Sequence, residues 1–202
     1  ERVSVLPAPG NAGDAVVSLV DGADRRVDVV GPSAEPGGRV FRAVVRAARR
    51  GVQVRILLGS AWYVRDENRA VVERLTTVAE REDLPLSARL AEPKGRYGSV
   101  HAKGLVVDDT AVVGSLNWND HAAAENREVA LALHGERAAA YYRRVFRADW
   151  RGGGRQVPAG VVVAALLAAG LAVVVLRRRV SWSREPDSTD DQRRDVRWPV
   201  AE

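Results

Sequence analysis

The sequence predicts an α/β fold, an α-β-α sandwich on a mixed β-sheet, followed by one transmembrane helix. Three observations support this. Short β-type apolar runs alternate with amphipathic helical stretches through residues 1–150. The turn signal Asp108-Asp109-Thr110 joins two apolar runs as a hairpin, so part of the sheet is antiparallel. Finally, Val157–Leu176 contains no charged side chain. About 20 apolar residues at 1.5 Å rise give roughly 30 Å, the thickness of a bilayer's hydrocarbon core.

Taken in order, Val3–Leu6 and Arg26–Val30 read as short strands, with a helix around Asp14–Asp21 between them. Over Arg39–Arg50, Val40, Val44, Val45 and Ala48 recur at helical spacing, and Gly51 stops the helix. Val52–Leu58 is a strand that runs into Gly59-Ser60-Ala61-Trp62-Tyr63. Asp66 is placed to cap a long helix reaching about Glu82, and Leu86–Leu90 is the next strand. Val100–Val107 and Ala111–Val113 are the arms of the hairpin, Glu128–Leu133 is a strand, and Glu136–Ala148 closes the domain as a helix.

Residues 1–150 thus form one domain, large enough to bury about two-thirds of its surface. Residues 151–156 are a Gly/Arg linker, 157–176 the membrane span, and 177–202 a charged, disordered tail. Arg177, Arg178 and Arg179 directly follow the span, as a cytoplasmic flank does, although Arg147, Arg151 and Arg155 precede it. The expectation is a single-pass membrane protein with its domain outside the cytoplasm and its tail inside. No signal peptide opens the chain and no methionine occurs, so Glu1 is expected to follow further sequence upstream.

Composition narrows the chemistry. With no cysteine, disulfides, thiol catalysis and Cys-ligated metals are excluded. No Asp/Glu/His cluster points to a metal, and no GxGxxG, P-loop or Gly-x-Ser-x-Gly element is present, so no cofactor is expected. The 31 Lys+Arg against 26 Asp+Glu leave a formal charge of +5, a weak footprint for nucleic acid.

The informative segment runs from Val100 to Trp118. Lysine occurs only at 94 and 103, and Lys103 stands two residues after His101. On a strand such a pair shares one face. Ser115 and Asn117 have the same spacing beyond the hairpin. An imidazole, an ammonium, a hydroxyl and an amide meeting at one place suit a phosphate, with the imidazole attacking phosphorus and the cation neutralising its oxygens.

His101-x-Lys103-x4-Asp108, followed by Gly114-Ser115-x-Asn117, resembles the signature of the phospholipase D superfamily, with membrane-tethered archaeal members looking nearest. The likeness extends through Ala47–Leu57 and Glu125–Leu131, covering nearly all of residues 1–150. It implies a phospholipase D-like phosphodiesterase with the catalytic motif His101, Lys103 and Asp108. His101 would form a phosphohistidine or protonate the leaving alcohol, Lys103 and Asn117 would hold phosphate oxygens, and Ser115 would support the pocket. Asp108 is more structural than chemical in that family. Glu128 resembles a supporting acid that orients the histidine ring.

Two departures accompany the likeness. Five residues separate Asp108 from Gly114, where six are usual, so the hairpin is tight. The family's site also needs two such motifs, and residues 1–100 contain no histidine. The second half is expected from upstream sequence, the preferred source, or from a homodimer partner.

The expected activity is that of a membrane-anchored phosphodiesterase or phosphatidyltransferase acting on a phosphodiester, a phospholipid in first place. A nuclease-type phosphodiesterase and a catalytically silent, membrane-tethered binding module are the alternatives. Among the remaining residues, His121 reads as a solvated helix-start residue and His134 as a helix-flanking surface residue. Trp62, Tyr63 and Trp118 read as packing aromatics before substrate walls, and Arg46, Arg49 and Arg50 as a solvated face.

Overall fold

A computed structural model describes residues 2–35, 37–94 and 97–152, together with positions 167, 170 and 172–175. Within the unit formed by residues 1–154, the elements are β1 (Arg2–Ala8), α1 (Ala12–Asp21), β2 (Arg26–Gly31), α2 (Arg39–Arg49), β3 (Gln53–Leu58), α3 (Arg65–Glu82), β4 (Leu86–Leu90), β5 (Lys103–Val107), β6 (Thr110–Gly114), α4 (Asp120–Ala124), β7 (Glu128–His134) and α5 (Glu136–Trp150). The seven strands form one mixed sheet in the order β1-β7-β6-β5-β2-β3-β4. β2, β3 and β4 run parallel, while β5, β6, β7 and β1 pair antiparallel.

Strand alternation divides the apolar side chains between the two faces. On the first face Val27 and Val29 of β2, Val54, Ile56 and Leu58 of β3, Leu105 and Val107 of β5, and Val112 of β6 pack into one core. The buried sides of α1, α2, α3 and α4 cover it through residues such as Val16, Val20, Val44, Leu75 and Ala122. On the second face lie two small clusters, Leu57 with Val100 and Phe146, and Val106 with Ala111 and Ala139. Both draw their helical members from α5. The predicted sandwich is therefore present but lopsided, with four helices on one face and one on the other.

Local details correct several sequence expectations. Asp66 does not cap α3: the helix starts after Val64 with no side-chain cap bond, and Asp66 lies with Glu67 in the first turn, where carboxylates meet the positive end of the helix dipole. Gly51 ends α2 as expected, at φ 90°, a conformation that favours glycine. The hairpin forms a two-residue turn between Val107 and Thr110, with Asp108 in the left-handed region at φ 43°. The strand predicted over Val100–Val107 begins only at Lys103.

The predicted span 157–176 and tail 177–202 lie almost wholly outside the described residues. Positions 167, 170 and 172–175 are helical. Among the described residues no helix is long and apolar enough to cross a membrane.

Candidate active site

Strand register brings the predicted site residues to one end of the sheet. Val30 of β2 pairs with Gly104, so the start of β5 lies beside the end of β2. Lys103 opposes Gly114, the last residue of β6, and Gly114 opposes Ala130 of β7, which begins at Glu128. The exit of β3 reaches the same place. A Cβ on Gly59 would lie 2.7 Å from the Pro32 oxygen and 3.2 Å from the Val100 oxygen, so this loop touches the segment carrying His101. Buried Asn68 clamps both loops, its Nδ2 donating to the oxygens of Pro32 and Gly59 at 2.8 Å each.

His101 precedes β5, so strand alternation does not hold it beside Lys103. A direct bond does: Lys103 Nζ donates to the His101 carbonyl oxygen at 3.0 Å. Both residues line one cleft of about 410 Å³ between α5 and the second face of the sheet. Its walls include Val30, Val100, Tyr142, Val145 and Phe146. Burial pushes the Lys103 ammonium below the ordinary lysine value, and the charge of Glu128 acts in the opposite direction. Glu128 is thus coupled to the lysine, and no hydrogen bond joins it to the His101 ring among the described residues. The ring-orienting contact expected of Glu128 is not formed.

Ser115 and Asn117 sit just past β6. The intervening Leu116 and following Trp118 are buried in the large core, which leaves positions 115 and 117 on the opposite side. They do not line the cleft. Ser115 is pinned to β7, its N–H donating to the Val129 oxygen at 3.0 Å and its Oγ accepting from the Val129 N–H at 3.2 Å. Gly114 permits this approach, because a Cβ there would overlap the Val129 oxygen and lie 2.7 Å from the Ala130 Cα.

Asp108 does not join the catalytic pair. It stands at the far end of β5, about 17 Å along the strand from Lys103. Its carboxylate accepts the backbone N–H groups of Asp24, Arg25 and Arg26 at 2.8, 3.0 and 2.9 Å, tying the hairpin to the start of β2. Burial alone would raise its pKa, but these three donors and the Arg25 charge hold it below the usual carboxylate value.

Asp28 was missed by the sequence reading. It is 3% exposed and lines the same cleft as His101 and Lys103. Burial raises its pKa against the opposing charges of Arg55, Arg143, Arg26 and Arg147. The available signal was an acid in the middle of the apolar run Arg26–Val30, on the side opposite Val27 and Val29.

The other side chains separate cleanly. His121 is exposed on α4. His134 flanks α5 as expected, ending β7 just before the Gly135 N-cap, but it is half-buried and bonded to Ser4 Oγ at 3.0 Å and Thr110 Oγ1 at 3.3 Å. Trp118 packs, its Nε1 donating to the Val30 oxygen at 2.8 Å. Trp62 and Tyr63 do not pack in the core: they are 88% and 58% exposed and stand edge-to-face against each other. Arg46 pairs with Asp21, Arg49 with Glu82, and Arg50 donates to the carbonyls of Val20 and Ala23. No group of three or more metal-ligating side chains occurs among the described residues.

Similarity to known proteins follows this geometry. A profile of the family described as "Cardiolipin synthase, PLD-like domain" matches residues 16–150. Nuc from Salmonella typhimurium, a phospholipase D family member, is 25% identical with a TM-score of 0.62, covering 76% of this chain and 96% of its own. NucT from Helicobacter pylori is 20% identical with a TM-score of 0.63, covering 75% of this chain and 96% of its own. Phosphatidylserine synthase from Haemophilus influenzae Rd KW20 shares the fold at 18% identity and a TM-score of 0.50, covering 71% of this chain and 38% of its own. No curated protein matches the chain significantly. The chain belongs to the PLD-like domain family of the phospholipase D superfamily of phosphodiesterases.

Proposed function

We propose that the chain is a membrane-anchored phosphodiesterase or phosphatidyltransferase of phospholipase D type, working through a phosphohistidine. The observation that carries it is the joining of His101 and Lys103 in one cleft. An imidazole nitrogen of His101 attacks phosphorus, and the bond from phosphorus to the leaving alcohol breaks as a second histidine protonates that alcohol. Lys103 holds the non-bridging oxygens. Water or an acceptor alcohol then attacks phosphorus, giving its proton to the second histidine, and the phosphorus–nitrogen bond to His101 breaks.

The second histidine is His101 of a second copy of the chain. Two observations favour this over an upstream motif. The domain spans 96% of the Nuc chain, so one such unit makes essentially that whole chain. Beside the cleft, the second face leaves Val3, Val5 and Val129 at least half exposed, an apolar surface suited to a partner. Phospholipid is the substrate class favoured by the apolar cleft walls. Nucleic acid is disfavoured because the α2 cations Arg46 and Arg49 are already paired. Residues 157–176 anchor the chain as a single pass, with the domain outside the cytoplasm and residues 177–202 within it.

A single-turnover reaction of the full-length chain with a phospholipid labelled at phosphorus tests this. Acid-labile label should appear on His101 and vanish in His101→Asn. Adding excess His101→Asn to the parent chain should leave the label per parent chain unchanged if the site lies within one chain, and lower it if two copies share the site.

A further inference from the structure

We propose that Trp62 and Tyr63 form a bilayer-docking tip that seats the active-site end of the domain on a phospholipid surface. This rests on the phospholipid reading above and names how the domain meets that substrate. The pair is the most exposed aromatic surface of the domain, with Trp62 88% and Tyr63 58% accessible. Their rings stand 5.6 Å apart at 85°, so each orders the other without either being buried. Indole and phenol rings with one apolar and one polar edge favour the headgroup level of a bilayer.

Their position is fixed by the fold. They follow β3, whose exit at Gly59 touches the Pro32 and Val100 carbonyls, and Val100 is next to His101. Asn68 holds that exit from below. The aromatic tip and the catalytic pair therefore share one end of the sheet. The chain also leaves the domain there: Ser60 and Arg65 line one groove together with Trp150, Arg151 and Gly152.

Charge does not drive the contact. Arg65 and Arg69 at the start of α3 are balanced by Asp66 and Glu67, and Arg69 lies 3.6 Å from Asp66. Docking is thus carried by the rings, and it requires no anionic lipid and little depends on salt.

The chain contains no cysteine, so a single introduced thiol is uniquely labelled. Full-length Tyr63→Cys and, as a far-end reference at the start of α5, Arg137→Cys are labelled with an environment-sensitive fluorophore and reconstituted in phosphatidylcholine vesicles carrying spin-labelled lipid. The label at 63 should be quenched several-fold more than that at 137, in low and high salt alike. Equal quenching overturns the proposal. In parallel, Trp62→Ser/Tyr63→Ser should turn over bilayer phospholipid about tenfold more slowly while cleaving water-soluble bis(p-nitrophenyl) phosphate at the unchanged rate. Equal loss on both substrates also overturns it. If the parent chain cleaves neither diester, the phosphodiesterase reading fails, and quenching alone still decides the docking.

Discussion

The two faces of the sheet are made by the same alternating strands but are covered differently. On the α1–α4 face, Val27, Val29, Ile56, Leu58, Leu105 and Val112 interlock in one contiguous core. On the α5 face, one helix leaves a cleft, a buried acid at Asp28, and exposed valines at positions 3, 5 and 129. The difference teaches where stability and chemistry reside. A closed face excludes water and fixes the strand register, whereas an under-covered face leaves room for a ligand and an apolar rim for a partner.

Variants can break this contrast. The largest expected effect is on catalysis: His101→Asn should lower diester turnover by about 10⁴-fold, while thermal unfolding stays within a degree or two of the parent. Steady-state rates and calorimetry on the same preparation check both halves. On the closed face, Ile56→Ala should cost about 3–4 kcal/mol of stability by opening a cavity, with turnover per folded molecule unchanged. Denaturant titration measures the loss, and a comparable fall in turnover would show that the faces are not independent.

Asp108 sharpens the contrast along the hairpin rather than across the sheet. Asp108→Ala removes the acceptor of three backbone donors and should cost about 2–3 kcal/mol. Its pKa is depressed on folding, so its contribution is present above the unfolded carboxylate value and is lost as pH falls through the lower folded value. Unfolding followed from neutral to acid pH should therefore converge for parent and variant at low pH.

A smaller effect is expected at Glu128. Its charge raises the Lys103 pKa against burial, so Glu128→Gln should lower that pKa further. The alkaline limb of the pH–rate profile should move to lower pH, because the ammonium is needed protonated. A limb that moves upward or stays fixed would remove Lys103 as its source.

Asp28 should give the smallest change and the opposite sign to Asp108. Its pKa is raised on folding, so stability declines as pH rises from the unfolded carboxylate value through the folded one. Asp28→Asn should then be slightly more stable than the parent at pH 7 and equal to it at low pH. A loss at pH 7 would mean that the surrounding arginines need the carboxylate as a counter-charge.

Most elements were legible in the sequence because hydrophobic period and turn chemistry are local. Leu86–Leu90 appears as read, and most other elements differ from their expected bounds by one or two residues. Errors arose where a non-local contact prevailed. Residues 100–102 have strand-like composition but stay outside the ladder, where the β3 exit at Gly59 meets Val100. Trp62 and Tyr63 have the composition of core aromatics, yet among the described residues no element covers them. Asp28 passed unremarked within the Arg26–Val30 strand because nothing in its neighbours announces which face α5 will cover.

The sequence by itself determined the alternation of strands and helices, the tight Asp108-Asp109 turn, and the pairing of the scarce Lys103 with His101, since each depends on residues close along the chain. Only the tertiary structure decided that Lys103 reaches the His101 carbonyl, that the charge of Glu128 acts on the lysine, and that Asp108 stands at the far end of the hairpin. Those outcomes depend on strand order and helix placement, which bring the Asp108 carboxylate to backbone donors 82 to 84 residues away. No local periodicity encodes that distance.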